Sequence, residues 1–244
     1  MIFSSTDHYH AFDRGLKDAQ LDPNNVGGKP WDTFFRGLPE VIGNEFIPQS
    51  AKGITREEVF RAASDPKVST VVVAAAALAW GGMNMRYHKA FFEVASKGWL
   101  HVANKIRRGE LNRADAFEAF RLLREEGKMP GVGPAYYTKL IYFLSRTAAA
   151  PHKPQGFILD QWTGCSLNLL AGAPIIHLNV SMSTKPPVKY VFTVSDANTA
   201  QAYEKFCCGV EELVSLCGHT EDEVDHALQR KGGWREYVRE HRKP

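Results

Sequence analysis

The segment from Gly127 to Arg146 reads GKMPGVGPAYYTKLIYFLSR. Two glycines flank Val132, a proline follows them, and an apolar run then carries one lysine, Lys139. Glycine adopts backbone conformations that a Cβ excludes. Proline suits the first turn of a helix, because its missing N–H would have no helical acceptor there. The segment therefore predicts a tight turn that leads directly into an amphipathic helix.

The first amides of this helix form a candidate anion site. The N–H groups at a helix start have no intrahelical acceptor and carry a partial positive charge, so they bind phosphate well. The alternative is an ordinary helical corner with glycine for a sharp turn. In the DNA-binding interpretation these amides point outward and hold a DNA phosphate without reading the bases. They belong to Gly131, Val132, Gly133 and Ala135.

The flanking sequence predicts further helices. Residues 112–126 place apolar side chains at helical spacing behind an N-cap at Asn112. Thr55 precedes Glu58 by three positions, which is the spacing of a capping box. Residues 71–80 combine valines with a run of four alanines and lack alternation, which favours a buried helix over a buried strand.

The fold class that follows is mainly α. Residues 176–194 are rich in β-branched side chains and predict a minor β excursion, either irregular or a small hairpin, around Pro186-Pro187. The rest of the chain lacks the alternation of strands and helices that is typical of a doubly wound sheet.

Composition limits the remaining alternatives. The 244 residues are 44% hydrophobic, which indicates a packed core. A net charge of +3 suits a DNA enzyme with a local basic face. The four cysteines lack CxxC spacing and predict reduced thiols in a cytoplasmic protein. The longest apolar run is shorter than the roughly 20 residues that cross a bilayer, so no membrane association is expected.

The hairpin sequence MPGVG, followed by Asp160 in ILDQWT, resembles the helix–hairpin–helix DNA glycosylases. The C-terminal sequence is similar to bacterial members with an 8-oxoguanine glycosylase fold. The resemblance implies one glycosylase domain, residues 1–244, made of two helical lobes with DNA in the cleft between them. We expect one lobe at about 55–150, and the other formed by 1–54 with 151–244.

The resemblance implies a DNA N-glycosylase that flips a modified base out of double-stranded DNA and excises it, with or without AP-lyase activity. The sequence leaves two substrates open: oxidised guanine such as 8-oxoguanine, or a hypermodified phage base such as glucosylated hydroxymethylcytosine. A role in DNA repair or in anti-phage defence follows accordingly. The alternative is a non-catalytic helix–hairpin–helix module, which gives Asp160 no role. We expect a nucleoid-associated monomer.

Two residues are predicted to be catalytic. Breaking the glycosidic bond builds positive charge on deoxyribose, which the carboxylate of Asp160 would stabilise, besides capping a helix. In lyase-competent relatives the nucleophilic lysine stands where this chain has Ala135. Lys139 lies one helical turn further on and faces nearly the same direction. Either it attacks the sugar, or water attacks and Lys139 contacts phosphate or Asp160, or its stem lies along the helix flank.

A glycosylase also fills the gap that the flipped base leaves. Asn84 is the first candidate for this wedge, followed by Met83 and Arg86. The candidates for pocket walls are aromatic: Trp80, Tyr136, Tyr137, Phe157 and Trp162. The candidates for phosphate neutralisation are basic: Lys105, Arg107, Arg108, Arg124, Lys128, Arg146 and Lys153.

No cofactor is expected to be required. The resemblance implies a monovalent cation, K⁺ or Na⁺, held by the backbone carbonyls of Gly127, Met129 and Val132. Relatives with an iron–sulfur cluster carry four spaced cysteines near the C-terminus. Cys207, Cys208 and Cys217 lack that spacing, so no cluster is expected.

Overall fold

The computed structural model describes residues 3, 6–17, 26–28, 30–36, 38, 53–94, 98–146, 154–182, 190–229 and 233–242. The helices are α1 (Thr6–Lys17), α2 (Trp31–Phe35), α3 (Arg56–Ser64), α4 (Thr70–Trp80), α5 (Met85–Val94), α6 (Gly98–Arg107), α7 (Arg113–Glu125), α8 (Pro134–Ser145), α9 (Gln161–Ala171), α10 (Ala200–Cys217), α11 (Glu221–Gln229) and α12 (Gly233–His241). The strands are β1 (Val26–Gly27), β2 (Ile54–Thr55), β3 (Leu178–Met182) and β4 (Tyr190–Val194). The prediction of a mainly α fold is confirmed.

The chain forms two compact units. The central unit is Asp22–Gly156, and the terminal unit combines Met1–Leu21 with Phe157–Pro244. We expected residues 1–54 to group with the C-terminal part. The described residues of 26–38 instead group with the central unit, because β1 pairs antiparallel with β2 and α2 packs on α4.

The core of the central unit surrounds α4 and α8. The α4 side chains from Val72 to Trp80 are all buried, which confirms the predicted buried helix. Its alanines let neighbouring helices approach closely, and α4 packs against α3, α6 and α8. Helix α8 packs in turn against α6 and α7. The helix that follows the glycine hairpin is therefore a structural centre of this unit.

Both predicted caps in the central unit are present. The hydroxyl of Thr55 accepts the N–H of Glu58 (3.1 Å), and the Glu58 carboxylate accepts the N–H of Thr55 (2.7 Å). The Asn112 side chain accepts the N–H of Asp115 (2.8 Å) at the start of α7. These bonds satisfy amides that have no acceptor inside their own helices, so both helix starts are encoded locally.

The terminal unit packs helices around α9. Helix α9 contacts α1, α10, α11 and α12, and the β3–β4 hairpin lies against it. Tyr203 of α10 donates its hydroxyl hydrogen to the carbonyl of Phe157 (2.8 Å), which fixes the segment before α9. The predicted β excursion is confirmed as an antiparallel hairpin, and Pro186-Pro187 lie outside the described residues.

No helix among the described residues is long and apolar enough to cross a bilayer.

The packing of α8 predicts the stability effect of one substitution. Leu140→Ala removes a fully buried side chain, which typically lowers the free energy of unfolding by about 2 to 5 kcal/mol. The matched control is Leu122→Ala on α7, where the side chain is 46% exposed, with an expected change within about 0.5 kcal/mol. Urea denaturation followed by fluorescence measures both. Equal midpoints for the two variants would contradict the central place of α8.

Candidate functional site

The hairpin between α7 and α8 depends on glycine at position 131. The N–H of Val132 donates to the carbonyl of Met129 (3.2 Å), and Gly131 has φ +71°, as a turn of this kind requires. A Cβ on Gly131 would lie 2.2 Å from the Cβ of Tyr87 on α5. The residue is therefore fixed both by its backbone conformation and by a neighbouring side chain.

Three of the four expected amides are available at the start of α8. Within the described part of the chain, the N–H groups of Gly131, Gly133 and Ala135 have no hydrogen-bond acceptor, and all three residues are half-buried. Val132 was predicted wrongly, because its N–H closes the turn onto Met129. The three amides lie at the positive end of a twelve-residue helix, which favours an anion.

An arginine adds positive charge at the same place. A Cβ built on Gly133 would lie 3.6 Å from the guanidinium carbon of Arg124. Arg124, from the last turn of α7, therefore lies beside the hairpin, as its position in the sequence indicated.

Lys139 is buried and bends back along α8. Its Nζ donates to the carbonyl of Ala135 (2.5 Å) and lies 5.4 Å from the ring centre of Tyr136. The stem crosses Gly81, where an added Cβ would lie 2.5 Å from the Lys139 Cδ. The amine is thus held one turn back from its own Cα, at the level of Ala135.

The wedge candidates in the loop between α4 and α5 differ in their exposure to solvent. Met83 was a candidate, but its side chain is fully buried, because the turn at Gly81-Gly82 directs it inward. Asn84 is exposed and accepts the N–H of Arg86 (3.0 Å), and Arg86 is also exposed. These two side chains are accessible, whereas Met83 is part of the core.

Most of the aromatic candidates are core residues. Trp80 is 7% exposed and packs against Phe143, with ring centres 5.2 Å apart. Tyr137 and Phe157 are almost completely buried. These three were expected to line a pocket, but each is used in packing its own unit.

Tyr136 differs from these core aromatics because it is only half-buried. Burial raises the pKa of its hydroxyl, and the backbone amide of Asn84 partly offsets that effect. The hydroxyl therefore stays protonated at neutral pH. Together with Lys139 over its ring, Tyr136 joins the loop 81–84 to the start of α8 within the central unit.

Asp160 caps α9 in the terminal unit through a single oxygen. Its Oδ1 accepts the N–H groups of Trp162 (2.7 Å) and Thr163 (3.1 Å). The Thr163 hydroxyl accepts the Asp160 N–H (2.9 Å) and donates to the carbonyl of Ile158 (2.9 Å). Oδ2 has no hydrogen-bond donor among the described residues. The predicted cap is confirmed, and the carboxylate is half-exposed with one oxygen free of hydrogen bonds.

An unpredicted group of arginines lies next to this cap. The guanidinium carbon of Arg235 is 4.0 Å from the ring centre of Trp162, and those of Arg239 and Arg242 are each 5.0 Å away. We call these three residues the arginine cluster. The spacing i, i+4, i+7 in WREYVREHR was the signal for one helix face, and the sequence analysis missed it. Arg235 therefore covers part of Trp162, a residue that we expected to line the base pocket.

Several of the predicted phosphate-neutralising residues have structural partners. Arg107 donates to the carbonyls of Ala63 (3.1 Å), Val68 (2.6 Å) and Asp65 (2.6 Å), so it closes the end of α3, and burial lowers its pKa. It was predicted wrongly as a DNA contact. The ion pairs are Arg108–Glu110 and Lys128–Glu126, and Lys153 lies outside the described residues.

Comparison with known proteins links these features to a family. A family model described as "Putative 8-oxoguanine DNA glycosylase OGG-like protein" matches residues 27–228, which is most of the chain. No curated protein and no solved structure gave a significant match. The matched range contains the hairpin and Asp160 and ends before α12.

The hairpin geometry predicts different costs for two glycine substitutions. Gly127→Ala should cost about 1 kcal/mol for its positive φ (+73°) alone, because no described atom lies within 4 Å of the added Cβ. Gly131→Ala pays for φ +71° and for the overlap with Tyr87, about 2 to 4 kcal/mol in total. Chemical denaturation compares the two variants. Equal losses of unfolding free energy would show that Tyr87 does not constrain the turn.

Proposed function

We propose that this chain, which belongs to the family of OGG-like 8-oxoguanine DNA glycosylases, is an active DNA N-glycosylase that releases a modified base. The family match confirms the resemblance that the hairpin and Asp160 predicted. The observation that carries the proposal of catalysis is the Asp160 carboxylate, which two amides of α9 hold at Oδ1 while Oδ2 accepts no hydrogen bond within the described part of the chain.

Asp160 acts on the sugar in this proposal. As the bond between C1′ and the base breaks, its electron pair leaves with the base, and positive charge builds on the deoxyribose. A carboxylate that is already oriented stabilises this charge without reorganising during the reaction. The two helix amides at Oδ1 supply that orientation.

Lys139 is the proposed nucleophile. Its neutral amine attacks C1′ and forms a C–N bond while the base leaves, and opening of the sugar ring gives a protonated Schiff base. The position of Nζ supports this role, since it lies at the level of Ala135, where relatives carry the nucleophile. Gly81 supports it too, because the absence of a Cβ there leaves room for the lysine stem.

The start of α8 holds the DNA backbone in this proposal. The available amides of Gly131, Gly133 and Ala135 suit a phosphate oxygen, and Arg124 adds a cation beside them. The exposed Asn84 and Arg86 are the proposed wedge that fills the gap left by the flipped nucleotide.

The hairpin carbonyls are the proposed ligands of a monovalent cation. Within the described residues, the carbonyls of Gly127 and Val132 accept no hydrogen bond, and that of Met129 accepts only the turn bond. Backbone carbonyls are suitable ligands for K⁺. When bound there, the ion supplies positive charge next to the phosphate-binding amides.

Oxidised guanine is the substrate we propose, because the family is described by 8-oxoguanine. The test is mass spectrometry of bases released from oxidised DNA and, in parallel, from glucosylated phage DNA. Release of oxidised guanine supports the proposal, and release of the glucosylated base assigns the enzyme to phage DNA. Salt-dependent DNA binding with no base released from any substrate would identify a non-catalytic module.

Asp160→Asn separates catalysis from folding. Asparagine caps helices about as well as aspartate, so the variant should have the same free energy of unfolding and the same DNA affinity as the parent protein. Base release should fall by at least about 100-fold, since the charge that stabilises the transition state is lost. The matched control is Asp32→Asn, which changes an exposed carboxylate on α2. This variant should release the base at the parental rate. Excision by Asp160→Asn at the parental rate would refute the assignment.

Borohydride trapping tests Lys139. The parent protein should form a covalent adduct with substrate DNA, and Lys139→Gln should form none. Lys89→Gln, an exposed lysine paired with Glu93 on α5, should trap like the parent. Gly81→Ala should lower the yield by displacing the lysine stem. Base release by the parent without any trapped adduct would instead assign the attack to water.

A further inference from the structure

The arginine cluster concentrates positive charge around Trp162, two residues after Asp160. Its three guanidinium groups lie within 5.0 Å of one indole ring. No carboxylate in the described part of the chain forms an ion pair with any of them, although Glu236 and Glu240 belong to the same helix. Guanidinium groups gathered around one ring repel one another, so the arrangement favours the binding of a negatively charged ligand.

The aromatic contacts leave the guanidinium donors available. Arg242 lies between two rings, 5.0 Å from Trp162 and 4.2 Å from Phe192, and its only described hydrogen bond is a weak one to the Cys165 sulfur (4.0 Å). Stacking uses the faces of a guanidinium and leaves its N–H groups at the edge. The described contacts of Arg239 include no hydrogen bond. The rings therefore hold the cations in place without satisfying their donors.

Arg235 is the member of the cluster whose charge is affected by burial, although it is only half-buried. Its Nε is buried and has no hydrogen-bond partner among the residues that the structure describes. Burial lowers its pKa, the nearby charge of Asp160 raises it, and Arg239 lowers it again. A charged group in such surroundings is stabilised by an anion that binds beside it.

We propose that the arginine cluster binds a phosphodiester of the DNA strand that carries the target base, at a site separate from the hairpin amides. This inference rests on the proposed function. Arginine binds phosphate through paired N–H groups, and the exposed Arg239 and half-buried Arg242 present such donors. All three arginines lie outside the residues that the family model matches.

The site also bears on the reaction at Asp160. The charge of Arg235 acts on that carboxylate, and the cations of the cluster oppose the positive charge that develops on the sugar. A bound phosphodiester cancels part of their field, so the carboxylate acts at full strength only when the strand is in place. When the DNA strand binds to the cluster, it weakens the repulsion between these cations and the cationic sugar, and base release becomes easier.

The test measures DNA affinity as a function of salt, without any base excision. The ligand is a labelled duplex with one tetrahydrofuran abasic analogue, followed by fluorescence anisotropy between about 50 and 200 mM KCl. The double variant Arg239→Gln/Arg242→Gln should lower the slope of log affinity against log salt by about 1, because the one phosphate contact is lost, and each single variant should lower it by less. Arg239→Lys keeps the charge and should keep the slope.

The matched control is Arg121→Gln on α7, where the guanidinium is already paired with Glu118 and Glu125. It should bind with the parental slope. Melting temperatures confirm that each variant is folded. An unchanged slope in the folded double variant Arg239→Gln/Arg242→Gln would overturn the inference and show that the cluster only packs α12 on α9.

Base-release assays separate this inference from the proposed function. If the double variant has a smaller salt slope than the parent and the parent releases no base, the phosphate site is supported and the glycosylase proposal fails. If the parent releases a base and the slope is unchanged, the glycosylase stands and the phosphate site fails.

Discussion

The hydrogen bonds from α9 to one oxygen of Asp160 are the interaction on which the proposed chemistry depends. A carboxylate that satisfies two helix amides has a defined position, and Thr163 holds the backbone on the other side of the cap. The cap therefore does two things: it starts a buried helix, and its two hydrogen bonds orient the carboxylate that carries the remaining oxygen. A freely rotating carboxylate would have to be ordered again in each reaction cycle.

In the central unit, two glycines leave the space in which the proposed functional groups are placed. Gly131 allows the hairpin to fold against Tyr87, and three amides at the start of α8 then have no acceptor among the described residues. Gly81 leaves the space through which the Lys139 stem passes, and the amine therefore reaches back to Ala135. In both places a missing side chain lets another group approach closely, so glycine here has a spatial role as well as a conformational one.

The arginine cluster supplies the electrostatic counterpart of the carboxylate. Asp160 is suited to a positive transition state, and the cations around Trp162 are suited to a negative backbone. Charges of opposite sign on this unit suit the proposed substrate, in which an anionic phosphate adjoins a sugar that becomes cationic. On this view α12 completes the proposed site chemically, although it lies outside the matched family region.

The sequence by itself determined the elements with local causes: the caps at Thr55, Asn112 and Asp160, the hairpin glycines, and the family. These depend on residues only a few positions apart. It did not determine which side chains are accessible. Met83 turned inward, Arg107 became a structural clamp, and distant arginines gathered on Trp162, because burial and charge clustering arise from segments that meet only after folding. Tertiary structure alone decided those contacts.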